Sequence, residues 1–220
     1  MSDSLTRFKD AYTDEVRRVA TSSINHLGRT RLTPTMLTTA GVALCAVASV
    51  IAYFEHKAWW LFLVSAAIFA FGSILDILDG ALARTRDLVT PFGAFLDSMV
   101  DRIGEAFMLG AIALVLMRDG NEWGVALTIT ALTGSVLVSY TRAKAELLGL
   151  KGDVGLGSRA ERVVVITIGV ALGSVGALPW AMLVLTATAW ITAVQRVLSV
   201  RSQLNASCSS LQHDKDKGGP

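Results

Sequence analysis

The chain has 220 residues, of which 52% are hydrophobic and 17% are charged, and its formal net charge is +2. With a mean hydropathy of +0.52 it has too little polar surface for an ordinary soluble domain, so we expect an integral membrane protein. Its basic residues are sorted by predicted membrane side and do not form a groove, which argues against nucleic acid binding. The only two cysteines, Cys45 and Cys208, provide neither a disulfide framework nor a cysteine metal site.

The first thirty residues alternate charged and apolar side chains and lack the continuous apolar core of a cleaved signal peptide. From Leu5 onward the apolar residues recur mostly at three to four positions, which places them on one stripe of a helix. We therefore predict that residues 1–30 form a juxtamembrane amphipathic helix on the inner leaflet. A soluble helix packed on the cytoplasmic face of the membrane domain fits the pattern equally well.

Six apolar segments follow, and we predict that they form one membrane domain over residues 31–200. Pro34, preceded by a hydroxyl residue, marks the start of the first span, which ends near Phe54. The second span begins at Ala58 and ends near residue 86. The third begins at Pro91 and carries charged residues in its first half.

The fourth predicted span covers residues 123–140. The uncharged stretch 163–195 is too long for one crossing, and the small residues and proline of 173–179 divide it into a fifth and a sixth span. The predicted fold is therefore all-α, with six transmembrane helices preceded by the amphipathic helix. The polar residues 201–220 are predicted to be a disordered cytoplasmic tail.

The distribution of basic residues predicts the orientation. Of the 20 Lys and Arg residues, only Lys57 and Arg118 fall in loops assigned to the outside, and cytoplasmic loops are the ones enriched in basic residues. We expect a multi-pass protein of the cell membrane with both termini on the cytoplasmic side.

Four carboxylates lie at the cytoplasmic ends of the second and third spans, where the free-energy cost of a lone charge indicates a functional site. Asp76 and Asp79 share one helical face, and Asp97 and Asp101 continue a stripe that begins at Gly93. If the two helices are antiparallel neighbours, the four carboxylates converge. Oxygen ligands without His or Cys suit Mg²⁺ or Mn²⁺, and four carboxylates could hold two ions that bind a diphosphate.

The spacing D-x2-D-G-x2-A-R-x8-G-x3-D-x3-D, which runs from Asp76 to Asp101, resembles in full the signature of the CDP-alcohol phosphotransferase family. These membrane enzymes transfer a phosphatidyl-type group from a CDP-linked lipid to an alcohol. The resemblance extends over roughly residues 30–200 and implies a homodimer. Leu32-Thr33-Pro34 also resembles the family, although Thr35 stands where the family often has Asn.

The resemblance implies a role for each position of the signature. Asp76, Asp79 and Asp97 would coordinate two metal ions, Mg²⁺ or Mn²⁺. Asp101 would contribute to the metal site and act as the general base that deprotonates the acceptor hydroxyl. The residues implied to lie along the CDP-lipid are Thr35, Gly80, Ala83, Arg84 and Thr90.

The basic segments after the fourth span resemble those of one branch of the family, the phosphatidylinositol phosphate synthases. That branch implies transfer of the phosphatidyl group of CDP-diacylglycerol to inositol 3-phosphate with release of CMP. Arg and Lys residues at the ends of several spans suit a dianionic phosphate. The residues implied to bind the acceptor phosphate are Ser139, Arg142, Lys144, Arg162 and Arg196.

Alternative functions stay open at this point. Glycerol 3-phosphate as the acceptor would make the chain a phosphatidylglycerophosphate synthase, although the pair Asp101-Arg102 resembles the inositol phosphate branch more closely. Another alcohol within the family is a further alternative. A membrane cation transporter would have acidic residues near mid-bilayer in broken, repeated helices, whereas these carboxylates lie at one end and no internal repeat is visible.

Overall fold

The computed structural model of the chain describes residues 33–85, 90–152, 154–155 and 158–217. Within these ranges the protein is all-helical, as predicted, with two short 3-10 turns at Glu55–Lys57 and Gly173–Val175. The α-helices are α1 (Pro34–Tyr53), α2 (Trp60–Thr85), α3 (Pro91–Arg118), α4 (Glu122–Leu147), α5 (Arg159–Ala171) and α6 (Leu178–Lys217). The predicted helix of residues 1–30 lies outside the described residues.

The helix starts follow from local capping chemistry. Thr33 precedes Pro34 and Thr90 precedes Pro91, and each threonine hydroxyl accepts a hydrogen bond from a backbone N–H three residues later. Proline is favoured at the first helical position because the N–H that it lacks would be unpaired there. At α5, Ser158 and the glutamate three residues later form a reciprocal capping box.

The predicted break in the long uncharged stretch is confirmed. Helix α5 ends at Ala171, a 3-10 turn follows at Gly173–Val175, and Gly176 has a φ of 78°. That left-handed conformation is accessible to glycine without steric cost. The chain reverses here, so that α5 packs against α6.

The number of membrane spans is supported only in part. Among the residues that the structure describes, four helical segments are long and apolar enough to cross a bilayer: Thr35–Tyr53, Trp60–Gly80, Glu122–Leu147 and Leu178–Ala206. Helix α3 has the length but carries charged residues in its first half. Helix α5 has only 13 residues, which is about 20 Å of helix against a hydrocarbon core of about 30 Å. The apolar helices indicate an integral membrane protein.

The end of the chain differs from the prediction. Residues 201–220 were expected to be disordered, whereas α6 continues to Lys217. Residues 201–217 contain neither glycine nor proline, so no strong helix breaker occurs before Gly218. The 40 residues of α6 correspond to about 60 Å of helix, roughly twice the thickness of the bilayer core.

The six helices form a closed bundle in which each contacts the next, in the order α1, α2, α5, α6, α4, α3 and back to α1. The largest fully buried side chains at its centre include Phe69, Met108, Ile112, Ile166, Met182 and Leu185. Helix α1 therefore lies between the two helices that carry the carboxylates. Its approach to α2 depends on glycine, because a Cβ on Gly72 would lie 2.9 Å from the carbonyl oxygen of Gly41.

Candidate active site

Three of the four predicted carboxylates converge at one end of the bundle. Asp76 on α2 and Asp97 and Asp101 on α3 each offer an oxygen atom within 4.8 Å of the other two. Asp76 is buried, and the other two are half-buried. The main helix packing here runs through α1, which contacts both α2 and α3. The predicted convergence is thus confirmed for these three side chains.

Asp79 is about one turn from Asp76 along α2 and is only 2% exposed. Thr38 of α1 donates a hydrogen bond to its Oδ2 atom. Within the described ranges, its Oδ1 atom is buried without a hydrogen-bond partner. Such a carboxylate oxygen is costly to bury unless a cation or a donor lies against it. This contact of Thr38 was not predicted, because the sequence shows only a hydroxyl residue on an apolar helix.

The donor set fits a hard divalent cation. The cluster of Asp76, Asp97 and Asp101 contains only carboxylates, and the unpartnered Oδ1 atom of Asp79 adds a fourth oxygen on the same helix as Asp76. Mg²⁺ and Mn²⁺ prefer oxygen ligands, and three negative charges that approach one another in a partly buried site repel unless positive charge lies between them. The residues present therefore match the predicted metal chemistry.

Arg159 belongs to the site, although no role was predicted for it from the sequence. It is the first residue of α5, and its guanidinium forms ion pairs with Asp76 through Nη1 and with Asp101 through Nη2. It thus joins α5 to both carboxylate-bearing helices. The sequence does indicate that Arg159 lies near the site, because it is three positions before the predicted site residue Arg162 and therefore on the same helical face.

Arg162 is held by a carboxylate. Its Nε atom lies 2.9 Å from Oε1 of Glu105 and its Nη2 atom 3.0 Å from Oε2, and both residues are buried. Bidentate pairing of this kind uses the planar donors of arginine fully. The proposed role of Arg162 in binding the acceptor phosphate stays a prediction, since its guanidinium is engaged by Glu105 in this structure.

Arg196 is also buried, and it is held by backbone carbonyl groups. Its Nε atom donates to the carbonyl oxygen of Val154 at 2.9 Å, and its Nη1 atom donates to that of Val138. Farther along α6, Gln203 exchanges two 3.0 Å hydrogen bonds with the backbone of Lys151. These contacts fasten the loop between α4 and α5 to α6.

The remaining residues predicted to bind the acceptor lie near the end of α4. Arg142 is exposed and pairs with Glu146 at 2.8 Å, and the Nζ atom of exposed Lys144 is 5.8 Å from the ring centroid of Tyr140. Ser139 is half-buried and lies three residues before Arg142 on the same side of the helix. This end of α4 therefore offers two basic groups and a hydroxyl.

The residues predicted to line the CDP-lipid are spread over three helices. Gly80 is half-buried on α2, next to the carboxylates in sequence. Thr35 is exposed in the first turn of α1, and exposed Thr90 caps α3. Ala83 and Arg84 lie in the last turns of α2, and their side chains fall outside the part of the chain that the structure describes.

An apolar groove opens between α2 and α5 beside Arg159. Its volume is about 400 Å³, and its walls include Ser73, Ile74 and Ile77 on one side and Arg159, Val163 and Ile168 on the other. Ile74 and Ile77 are largely exposed, so the groove is open to the surroundings of the bundle. An apolar chain lying in it would end close to the carboxylates.

Comparison with known proteins identifies the family. The family model for CDP-alcohol phosphatidyltransferase matches residues 31–194. A phosphatidylinositol phosphate synthase of Mycolicibacterium smegmatis is 34% identical over 214 residues, which cover 94% of this chain and 92% of that protein. An archaetidylinositol phosphate synthase of Pyrococcus horikoshii is 35% identical over 197 residues, which cover 86% of this chain and 97% of that protein.

Solved structures agree with this assignment. The phosphatidylinositol phosphate synthase of Mycobacterium tuberculosis with CDP-DAG bound is 30% identical, with a TM-score of 0.72 over 83% of this chain and 94% of that one. The same enzyme in complex with manganese and citrate gives the same TM-score and identity over 82% of this chain and 88% of that one. Because the family model and these relatives match most of its length, the chain belongs to the CDP-alcohol phosphatidyltransferase family.

Proposed function

We propose that the protein transfers the phosphatidyl group of CDP-diacylglycerol to inositol 3-phosphate, giving phosphatidylinositol phosphate and CMP. The observation that carries this proposal is the convergence of Asp76, Asp97 and Asp101 at one end of the bundle in a chain of this family. The relatives from M. smegmatis and P. horikoshii are both named as synthases of an inositol phosphate lipid. These names favour inositol 3-phosphate over glycerol 3-phosphate as the acceptor.

The metal site in this proposal consists of Asp76, Asp79, Asp97 and Asp101, which together suffice for two ions of Mg²⁺ or Mn²⁺. When bound there, the metal supplies positive charge for the donor diphosphate and for the departing CMP. The manganese complex of the M. tuberculosis relative supports this choice of metal. The residues proposed to lie along the CDP group are Thr35, Gly80, Ala83, Arg84 and Thr90.

The groove between α2 and α5 is proposed to take one acyl chain of the donor. Its exposed wall, which includes Ile74 and Ile77, would lie at the depth of the lipid tails. An acyl chain that enters the groove from the bilayer leaves an equally apolar environment, so packing against the groove walls positions it and removal from water contributes little. Since the groove ends beside Arg159, a lipid in it would hold its diphosphate close to Asp76 and Asp101.

Asp101 is proposed to accept the proton of the attacking hydroxyl. It is half-buried, so an acceptor from the aqueous side can reach it, and it lies on the same stripe of α3 as Asp97. A carboxylate in hydrogen-bond reach of the hydroxyl makes the oxygen a better nucleophile toward the phosphorus atom. General base catalysis of this kind contributes a factor of about 10² to 10⁴ in rate.

The acceptor phosphate is proposed to contact Ser139, Arg142 and Lys144, which lie together near the end of α4. Arg162 and Arg196 are proposed to shape the walls of this pocket, because Arg162 is held by Glu105 and Arg196 by two backbone carbonyls. Exposed basic groups can exchange a protein or water partner for a phosphate at low cost.

The membrane arrangement is a further part of the proposal. It places six spans within residues 31–200, with α3 and α5 completing the count, and puts both termini and the carboxylates on the cytoplasmic side. The sorting of basic residues supports this orientation. Labelling of the single-cysteine variants Lys57→Cys and Lys151→Cys in intact cells tests it, since only the Lys57→Cys variant should react with an impermeant reagent.

A homodimer is proposed from the family resemblance. Chemical cross-linking of the protein in native membranes, followed by mass determination of the purified detergent complex, tests this assembly. A cross-linked species of twice the chain mass is expected. A protein that stays monomeric in both experiments would contradict the proposal.

The activity is tested by CMP release from CDP-diacylglycerol in membranes that contain the protein and Mg²⁺ or Mn²⁺. Inositol 3-phosphate, free inositol, glycerol 3-phosphate and serine are compared as acceptors, and membranes with the Asp97→Asn variant serve as the control. We expect turnover with inositol 3-phosphate and little with free inositol, which lacks the phosphate. Preference for glycerol 3-phosphate, or no turnover with any of the four, would contradict the proposal.

A further inference from the structure

The guanidinium of Arg159 lies between two carboxylates that the proposed function assigns to the metal. It contacts Asp76 on α2 and Asp101 on α3 at the same time. A divalent cation and a guanidinium cannot share the same two carboxylate oxygens, because the like charges repel strongly over a few ångströms in a partly buried site. Metal loading therefore requires Arg159 to leave at least one of these carboxylates.

The two ion pairs have the character of an exchangeable contact. The guanidinium divides its two Nη groups between carboxylates on different helices, so it does not form the bidentate pair with a single carboxylate that makes arginine contacts strong. The Arg159 side chain is also 32% exposed, so it has space into which it can move.

The helix that carries Arg159 is held independently of these contacts. One turn farther along α5, buried Arg162 is fixed by two well-formed hydrogen bonds to Glu105. Displacement of the Arg159 side chain would leave this second pair in place. A side-chain movement is therefore sufficient, and α5 itself can stay where it is.

We propose that Arg159 is a resident counter-ion that neutralises Asp76 and Asp101 in the absence of metal, and that a divalent cation displaces it toward an anionic group of the substrate. This inference rests on the proposed metal site. The displaced guanidinium would lie beside the groove between α2 and α5, where it can pair with a phosphate oxygen. Metal loading and recognition of the anionic substrate would thus be coupled through one side chain.

The first test measures the dissociation constant for Mn²⁺ alone, from the free Mn²⁺ signal in electron paramagnetic resonance, on purified protein without substrate. Arg159→Gln should bind Mn²⁺ on the order of tenfold more tightly than the wild type, because a competing positive charge is gone. Arg118→Gln is the matched control, since Arg118 pairs with Glu55 and not with the carboxylate cluster, and its affinity should not change. Unchanged or weaker binding by Arg159→Gln overturns the inference.

The second test uses the wild-type protein and does not depend on the folding of a variant. An arginine-specific dicarbonyl reagent is applied with and without Mn²⁺, and the modified peptides are quantified by mass spectrometry. Mn²⁺ should raise the labelling of Arg159 several-fold and leave that of Arg162, whose side chain is 6% exposed, unchanged. No increase at Arg159 overturns the inference even if Mn²⁺ binds, whereas a wild-type protein that binds no Mn²⁺ overturns the proposed metal site as well.

Discussion

Arg162 of α5 donates hydrogen bonds of 2.9 Å and 3.0 Å to the two carboxylate oxygens of Glu105 on α3. One turn away on each helix, Arg159 forms an ion pair with Asp101. Helices α3 and α5 are therefore joined by two ion pairs at matching helical spacing, of which only the Glu105 pair is fully buried. The buried pair fixes the position of α5, and this places Arg159 at the carboxylate cluster.

Replacement of Glu105 by Gln should destabilise the protein strongly. The guanidinium of Arg162 would stay buried without its counter-charge, and removal of one partner of a buried pair typically costs about 3–5 kcal/mol. We expect a clear decrease in the midpoint of thermal unfolding in detergent, together with a loss of transferase activity. The control is Arg118→Gln at the more exposed pair with Glu55, where about 1 kcal/mol or less is expected. Equal stability of the two variants would count against this role for Glu105.

Divalent metal should stabilise the folded protein through the carboxylate cluster. A ligand that binds only the folded state at one hundred times its dissociation constant contributes about 2.7 kcal/mol. Mn²⁺ should therefore raise the thermal midpoint of the wild type, and EDTA should reverse the increase. Asp76→Asn should lose most of this response because one of the converging carboxylates is gone. Asp119→Asn, an exposed position at the opposite end of α3, should keep it, and an equal response from both variants would contradict the assignment.

Local sequence chemistry predicts the helices and the convergence of four carboxylates, three of which the structure brings together. Periodicity and length define the apolar helices, and the threonine–proline pairs at α1 and α3 mark their starts. The i, i+4 spacing of Asp97 and Asp101 is enough to put them on one face of a helix. Their meeting with Asp76 was predicted on the assumption that α2 and α3 are direct neighbours, whereas the main packing partner of both is α1.

The contacts that the sequence did not reveal all join residues distant in the chain. Each contact depends on the rotation of one helix about its axis relative to another. The contacts are those of Arg159 with Asp76, of Arg162 with Glu105 and of Thr38 with Asp79. Helix periodicity gives the face that a residue occupies but not the helix that this face meets. For the same reason, periodicity does not show that two of the four basic residues predicted to bind the acceptor phosphate, Arg162 and Arg196, are held by protein groups.

The crossing of α1 and α2 should be sensitive to any side chain at Gly72. A Cβ at this position would lie 2.9 Å from the carbonyl oxygen of Gly41 and 3.1 Å from the Cβ atom of Leu44, so Gly72→Val must push the helices apart. We expect lower thermal stability and weaker Mn²⁺ binding, because Asp76 lies one turn beyond Gly72 on α2. The control is Gly110→Ala on α3, where a Cβ would meet nothing within 4 Å and where stability should be unchanged or slightly higher. Normal Mn²⁺ affinity in Gly72→Val would show that this crossing does not position the site.

Replacement of Asp101 by Asn should separate its proposed role as the base from its contribution to the metal site. Asp76, Asp79 and Asp97 remain available to the metal, and the Asn side chain has nearly the same size but cannot accept a proton at neutral pH. CMP release should fall by about 10²-fold or more, while binding of Mn²⁺ and of CDP-diacylglycerol stays within a few-fold of the wild type. Turnover with inositol 3-phosphate and ligand affinity are measured on the same preparation, with Asp119→Asn as the control for loss of a carboxylate far from the site. Retained turnover would remove Asp101 from the role of base, and loss of Mn²⁺ binding along with turnover would show that its contribution to the metal site is what turnover requires.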